Sequence, residues 1–262
     1  MTQPVQRDGF SLNAHVSGRA DGPVILLSNS LGTGLGMWSP QRTALEASHR
    51  VIGYDTRGHG ASDTPPGPYH FDDLVGDALA VLDHFDVDRA AMMGLSIGGM
   101  TGLGVALAAP DRLTHLICAC ARADNPPPFV QSWNDRMAVI EAHGVQALWP
   151  KTSQVWLTPD FHDAEPDQVG ALEQTFKRTT DEGYKGCAEA LKGLDYLGCL
   201  GQIAVPTLYI AGEVDMGAPP AAMKAMTEAT PGSKYIEIKG AAHIANINQP
   251  SAFTKAVTEF LL

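Results

Sequence analysis

Short apolar segments and longer amphipathic segments alternate along most of the chain. Residues 10–16 alternate between apolar and polar positions, which predicts a strand with one buried face. Uninterrupted apolar runs predict further strands covered on both faces. These runs are residues 24–27, 51–54, 91–95, 116–119, 207–211 and 235–238, and helical patterns lie at residues 74–85, 97–109, 220–230 and 251–262. Strands and helices that alternate in this way predict an α/β fold, with a mostly parallel sheet and helices on both of its faces.

This alternation is absent from residues 125–194, which show no strand pattern. They predict helices at residues 129–143, 145–156, 166–179 and 184–193. Residues 125–128, Asn-Pro-Pro-Pro, predict a stiff entry into this region. A helical insertion between two sheet strands predicts a cap over the strand ends. We therefore expect a core domain of residues 1–122 and 203–262, and a helical cap of residues 123–202.

A serine motif lies between a predicted strand and a predicted helix, in Gly94-Leu95-Ser96-Ile97-Gly98. A serine on so sharp a turn has a strained backbone and an exposed hydroxyl. Glycines flank it because side chains there would collide across the turn. The motif predicts that Ser96 is a nucleophile; the alternative is a glycine-rich turn without chemistry.

A serine hydroxyl needs an adjacent base. His243 is the best candidate, because it lies on a loop of small residues between the last predicted strand and the C-terminal helix. Asp215 follows the strand of residues 207–211 and is the candidate acid that orients the base. Glu213 is a weaker rival for that role. A solvated histidine and a turn-forming aspartate are the alternatives without function.

A tetrahedral oxyanion requires main-chain donors that are already in place. One candidate donor is the amide of Ile97, the residue after the nucleophile. We expect the second from Leu31, in the loop of residues 28–33 that follows an early strand. For that loop, an ordinary glycine turn is the alternative.

The composition of the 262 residues limits the classes of partner. The formal net charge of -11 argues against nucleic acid and anionic membranes, because both bind basic patches. No run approaches the ~18–20 apolar residues of a membrane span, and residues 1–9 lack the pattern of a secretory signal, so we expect a cytoplasmic protein. The cysteines form no C-x-x-C pair and the histidines show no ligand spacing, so we expect no metal site.

With these motifs in place, the chain resembles the α/β-hydrolases. More narrowly, it resembles the 3-oxoadipate enol-lactonases of aromatic catabolism. The residues that carry this resemblance are 28–33 (Ser-Asn-Ser-Leu-Gly-Thr), 54–62, 65–69, 94–100, 179–190 and 243–250. The resemblance implies an α/β-hydrolase fold and a serine hydrolase, free of cofactor, that opens an enol-lactone ring.

The implied substrate is a small lactone that carries a carboxylate, which a protein of negative net charge must bind through a local cation. The family often has a basic residue before the aromatic pair of the cap, where this chain has Val155 and Trp156. Four other cations therefore become candidates: Arg122, Arg136, Lys151 and Lys192. We expect the substrate to contact Arg122, Trp133, Arg136 and Trp156.

Several other functions stay open on the same residues. The nearest is a carboxylesterase or lactonase of different specificity. A hydrolase of C–C bonds in ring-cleavage products is a further alternative within the fold. A non-catalytic binding module is a different class, and the complete set of Ser96, Asp215 and His243 argues against it.

Overall fold

The central sheet has eight strands in the order β1-β2-β4-β3-β5-β6-β7-β8, in a computed structural model that describes residues 2–262. The β1–β2 and β2–β4 pairs are antiparallel and all other neighbours are parallel. The strands are β1 Thr2–Arg7, β2 Phe10–Gly18, β3 Val24–Ser28, β4 Arg50–Tyr54, β5 Ala90–Leu95, β6 Leu113–Ala119, β7 Thr207–Gly212 and β8 Lys234–Ile238. The predicted strands and their mostly parallel order are confirmed.

The strands at the centre of the sheet show why apolar runs predict them well. Every residue of β5 and β7 is buried, because helices cover both faces of the sheet there. The edge strand β1 was not predicted, and only Val5 in it is buried. Strand β1 forms because its main chain pairs with β2, and its polar sequence gives no sign of that pairing.

Eleven α-helices accompany these strands within residues 2–262. Five pack on the sheet: α1 Ser39–Glu46, α2 Phe71–His84, α3 Ile97–Ala108, α9 Pro220–Ala229 and α11 Pro250–Leu261. The short α10, Ala245–Asn248, packs against α1 and α11. Helix α2 begins earlier than its apolar pattern predicts, because the Asp73 carboxylate accepts a hydrogen bond from the main-chain N–H of His70 and caps the first turn. Helix α1, which was not predicted, has only two buried residues, Gln41 and Leu45.

The remaining five helices form the cap, between β6 and β7. They are α4 Pro127–His143, α5 Trp149–Trp156, α6 Pro159–Ala164, α7 Pro166–Phe176 and α8 Asp181–Lys192. Pro127 and Pro128 belong to the first turn of α4, where proline is tolerated, and Pro126 is its N-cap residue, so the predicted linker is largely helical. The predicted helix of residues 145–156 divides into a 3-10 turn, Val145–Leu148, and α5. The domain limits at residues 122 and 203 stay a prediction.

Main-chain hydrogen bonds attach the cap to loops at the carboxyl ends of the strands. The N–H of Thr180, before α8, donates to the carbonyl of Gly58 at 3.2 Å. The N–H of His243 donates to the carbonyl of Val155 in α5 at 3.4 Å. These contacts hold the cap above the edge of the sheet where the predicted nucleophile lies.

Candidate active site

Ser96 lies on the turn between β5 and α3, in a strained backbone conformation with φ 57° and ψ −122°. Its N–H donates to the carbonyl of Ala119 at 2.8 Å, which fixes the turn to β6. A Cβ at Gly94 would clash with the main chain of Gly98, so the turn closes only with glycine at that position. The Ser96 side chain is thereby directed into a cavity beneath the cap.

The imidazole of His243 lies beside this serine. Its Nε2 atom is 3.0 Å from Ser96 Oγ. The loop that carries His243 follows β8 and is held by the buried side chain of Asn248, whose Oδ1 accepts the N–H of Ala242 at 2.7 Å. The structure thus brings together two predicted residues that are separated by 147 positions.

Asp215 completes the constellation on the other side of the imidazole. His243 Nδ1 lies 2.9 Å from Asp215 Oδ2 and 3.0 Å from Oδ1. Asp215 Oδ1 also accepts the N–H groups of Gly217 at 2.7 Å and Ala218 at 3.0 Å, which hold the carboxylate in place. The rival Glu213 is exposed and accepts the N–H of Gly240 at 2.8 Å instead.

These three side chains form a continuous chain of contacts from carboxylate to imidazole to hydroxyl. A carboxylate at Nδ1 orients the ring so that Nε2 can accept the serine proton. The same contact stabilises the imidazolium that forms when the proton is transferred. The arrangement suits nucleophilic attack by Ser96 on an acyl carbon.

The two candidate oxyanion donors belong to the residue after Ser96 and to a residue that lines the same cavity. Ile97 is the first residue of α3, so its N–H has no acceptor within the helix. Leu31 lines the cavity together with Ser96 and His243. In the part of the chain that the structure describes, neither N–H group donates to a protein acceptor. Gly98 lies against the main chain of Ser28, which brings the start of α3 and the loop of residues 28–33 together.

A cavity of about 380 Å³ lies above Ser96, between the sheet edge and the cap. All four candidate substrate contacts line it: Arg122, Trp133, Arg136 and Trp156. The two lysine candidates are not among its lining residues. Lys151 is exposed, and Lys192 pairs with Glu189 at 2.9 Å.

Both arginines in the cavity wall are held by neighbouring side chains. Arg122 Nη2 donates to Asp124 Oδ1 at 2.8 Å, and Arg136 Nη1 donates to the hydroxyl oxygen of Tyr184 at 3.1 Å. The guanidinium of Arg136 also lies over the ring of Trp133, 5.0 Å from its centroid. These contacts orient the two cations.

Three buried polar atoms in the cavity wall have no hydrogen-bond partner among residues 2–262: Arg122 Nε, Trp133 Nε1 and Thr152 Oγ1. Such groups are costly unless a partner satisfies them. Sequence reasoning missed Thr152, and the sequence carries no signal for it. Other helical threonines donate to the carbonyl four residues earlier, as Thr101 does to Ile97 at 2.8 Å. Only the packing of α5 shows that Thr152 does not.

No group of three or more His, Cys, Asp or Glu side chains within residues 2–262 is arranged to hold a metal ion. Across the same residues, none of the helices has the length and apolar character that a membrane crossing requires.

Comparison with known proteins places this geometry in a family. The model of the alpha/beta hydrolase fold family matches residues 23–250, and the chain belongs to that family. The protein is a hydrolase that acts on carboxylic ester or lactone bonds.

Within this family, the chain is similar to several enol-lactonases. The chain is 38% identical to 3-oxoadipate enol-lactonase 2 of Acinetobacter baylyi over 247 residues, covering 94% of this chain and 91% of that protein. It is 32% identical to 3-oxoadipate enol-lactonase 1 of the same organism over 263 residues, covering 97% and 94%. The crystal structure of the enol-lactonase from Burkholderia xenovorans LB400 superposes with a TM-score of 0.95 at 37% identity, covering 99% of both chains.

Proposed function

We propose that this protein is a serine hydrolase that opens the ring of 3-oxoadipate enol-lactone to give 3-oxoadipate, in the catabolism of aromatic compounds. One observation carries the proposal. A Ser96–His243–Asp215 chain of contacts lies in the same cavity as two arginines and three buried donors without acceptors. The two similar enol-lactonases support the choice of substrate.

The reaction begins with attack by the serine. His243 Nε2 takes the proton of Ser96 Oγ, and Oγ forms a bond to the lactone carbonyl carbon. The negative charge that develops on the carbonyl oxygen is stabilised by the N–H groups of Leu31 and Ile97. Asp215 stabilises the imidazolium and is not itself protonated.

The ring opens when the tetrahedral intermediate collapses. The bond between the carbonyl carbon and the ring oxygen breaks, and His243 returns its proton to the departing enol oxygen. The enol tautomerises to a ketone while the acyl group stays on Ser96. Water then attacks the acyl carbon, with His243 again as base, and releases the diacid and free Ser96. The sum is one lactone and one water converted into one 3-oxo diacid.

Recognition of the substrate carboxylate belongs to a group of cavity-lining residues that we call the cap wall: Arg122, Trp133, Arg136, Thr152 and Trp156. The protein carries a formal net charge of -11, so its average field repels an anion. Arg122 and Arg136 supply positive charge inside the cavity, and Trp133 and Thr152 supply neutral donors. Trp156 lines the same cavity with an aromatic ring. We assign this role to a cap of residues 123–202 together with Arg122, the last residue of the first core segment. The catalytic role belongs to the core domain of residues 1–122 and 203–262.

A pair of substrates tests the proposal. One is the enol-lactone with its carboxymethyl group, and the other is the same ring with a methyl group in its place. We expect kcat/KM to be at least ~100-fold higher for the anionic lactone, because charged hydrogen bonds contribute about 1.5–3 kcal/mol each. Equal values, or preference for the neutral ring, would replace this proposal with a general esterase or lactonase.

A further inference from the structure

The peptide unit that joins Ser30 to Leu31 is held from one side by a single residue. The carbonyl oxygen of Ser30 accepts the hydroxyl of Thr33 at 2.6 Å and the N–H of Thr33 at 3.1 Å. A trans peptide is planar, with its C=O and N–H pointing in opposite directions. The two bonds from Thr33 therefore also determine where the N–H of Leu31 points.

Buried neighbours hold Thr33 in turn. Its side chain is 2% exposed, and its Oγ1 atom lies 3.0 Å from Met37 Sδ. The same sulfur accepts the N–H of Ser30 at 3.2 Å. Both sides of Ser30 are thus tied to the protein interior, whereas the N–H of Leu31 is left without a protein acceptor in residues 2–262. Leu31 and Ser96 line the same cavity.

We propose that Thr33 is a positioning residue, whose hydroxyl orients the Ser30–Leu31 peptide so that the Leu31 N–H faces the oxyanion formed at Ser96. This inference rests on the proposed serine mechanism and not on the identity of the lactone. Thr33 does not touch substrate. It acts only through the direction of the peptide, which matters because an oxyanion donor works within about 2.7–3.1 Å of the charged oxygen.

The effect of Thr33 falls on the transition state. The ground-state carbonyl needs the Leu31 N–H less than the oxyanion does, so a misdirected N–H lowers kcat and leaves KM nearly unchanged. Complete removal of an oxyanion donor costs about 10²–10³ in kcat. Thr33→Val leaves the main-chain bond from residue 33 to Ser30 in place, and we expect a smaller loss of about 10-fold.

The experiment compares three variants with a neutral p-nitrophenyl ester as substrate. Thr33→Val removes the hydroxyl and keeps the volume, and Thr33→Ser retains the hydroxyl. Thr207→Val is the matched control: Thr207 is also 2% exposed and its hydroxyl donates to a carbonyl, that of Val205, at 2.9 Å. Thr207 begins β7, at the end of the strand opposite Asp215.

We expect kcat to fall about 10-fold in Thr33→Val with KM within twofold of wild type, and Thr33→Ser to recover most of the loss. Thr207→Val should keep wild-type kinetics. The affinity for an alkyl trifluoromethyl ketone, which forms a tetrahedral adduct with the serine, should fall by the same factor as kcat/KM.

Any of three results would overturn the inference: wild-type kcat in Thr33→Val, no recovery in Thr33→Ser, or an equal loss in Thr207→Val. If Thr33→Val does not fold, Met37→Leu removes the sulfur acceptor at nearly constant volume. Its kcat should then fall severalfold at constant KM, and an unchanged kcat would count against the inference. Failure of the proposed mechanism is recognised separately, because Ser96→Ala would then keep its activity.

Discussion

Two regions line one cavity: the carboxyl ends of the strands, here called the sheet edge, which carry Ser96, Asp215 and His243, and the cap wall. The polar groups of the two regions are satisfied in opposite ways. At the sheet edge, the Asp215 carboxylate contacts the His243 imidazole, and the imidazole contacts the Ser96 hydroxyl. In the cap wall, Trp133 Nε1 and Thr152 Oγ1 are buried and contact no acceptor in residues 2–262. The three catalytic side chains are therefore paired without a ligand. The cap-wall donors, like the Leu31 and Ile97 N–H groups, gain an acceptor only when a ligand binds. We infer that chemistry resides in the sheet edge and selectivity in the cap.

The two regions also differ in what holds them. The turn at Ser96 is held by main-chain sterics and by bonds to neighbouring strands. The cations of the cap wall are held by side chains alone: Arg122 by Asp124 and the ring of Phe129, and Arg136 by Tyr184 and the ring of Trp133. Substitution of Ser96, His243 or Asp215 should therefore lower the turnover of every substrate alike. Substitution in the cap wall should change which substrate is preferred.

The largest effect is expected from Ser96→Ala. Removal of the nucleophile should lower kcat/KM by about 10⁴-fold or more for anionic and neutral substrates alike. The fold should persist, because the Ser96 hydroxyl faces the cavity. Steady-state kinetics and thermal unfolding measure the two expectations. A folded Ser96→Ala enzyme with wild-type activity would place the chemistry elsewhere.

Asp215→Asn should follow, with a loss of about 10⁴-fold in kcat, because an amide favours the wrong tautomer of His243. Glu213→Gln is the control, since Glu213 is an exposed carboxylate only two residues away. It should stay within threefold of wild type. The reverse order of the two effects would mean that Glu213 is the acid.

Substitution of the cap-wall arginines should affect the anionic substrate more than the neutral one. Arg122→Ala or Arg136→Ala should raise KM for the anionic lactone by roughly 10–100-fold, as expected for loss of a hydrogen bond to a charged group. KM for the neutral ring should change little. Lys151→Ala, which removes an exposed cap cation outside the cavity, is the control. Equal changes for both substrates would show that the arginines are structural.

Thr152→Val should have a smaller effect of the same kind. The substitution keeps the shape of the side chain and removes a buried hydroxyl that has no protein partner. KM for the anionic lactone should rise by about 3–10-fold, since a neutral hydrogen bond contributes about 0.5–1.5 kcal/mol. The unfolding temperature should not fall. A lower KM would show that the Thr152 hydroxyl weakens substrate binding and does not donate to the substrate.

The smallest effect is expected on the pH dependence of the free energy of unfolding, through the buried His59. His59 is fully buried, and burial lowers its pKa from the usual value of 6.5. The folded protein therefore keeps His59 neutral at a pH where the unfolded chain binds a proton, so the free energy of unfolding decreases as pH falls below about 6.5. His59→Gln should make the free energy of unfolding, measured by urea unfolding, depend less on pH between 7.5 and 5.

His143→Gln, at an exposed position in the cap, is the control and should leave the dependence as in wild type. An unchanged dependence in His59→Gln would show that the unfolding equilibrium is not linked to this histidine.

Local sequence determined much of this protein. The continuous apolar runs predict the central strands, because a strand buried on both faces has no polar positions. Gly94 and Gly98 around Ser96 predict the turn, because steric exclusion acts over a few residues. His243 and Asp215 were predicted from their places after successive strands, since parallel strands end at one edge of a sheet.

The tertiary structure decided what depends on packing between distant segments. Strand β1 is polar and exists through pairing with β2. Thr152 in α5 and Tyr184 in α8 meet the cavity only because five cap helices pack over the sheet edge. The role that we propose for Thr33 depends on a hydrogen bond of 2.6 Å to Ser30. A helix or loop sequence specifies its own hydrogen bonds well, but which of its side chains stay unpaired depends on the surfaces that cover it.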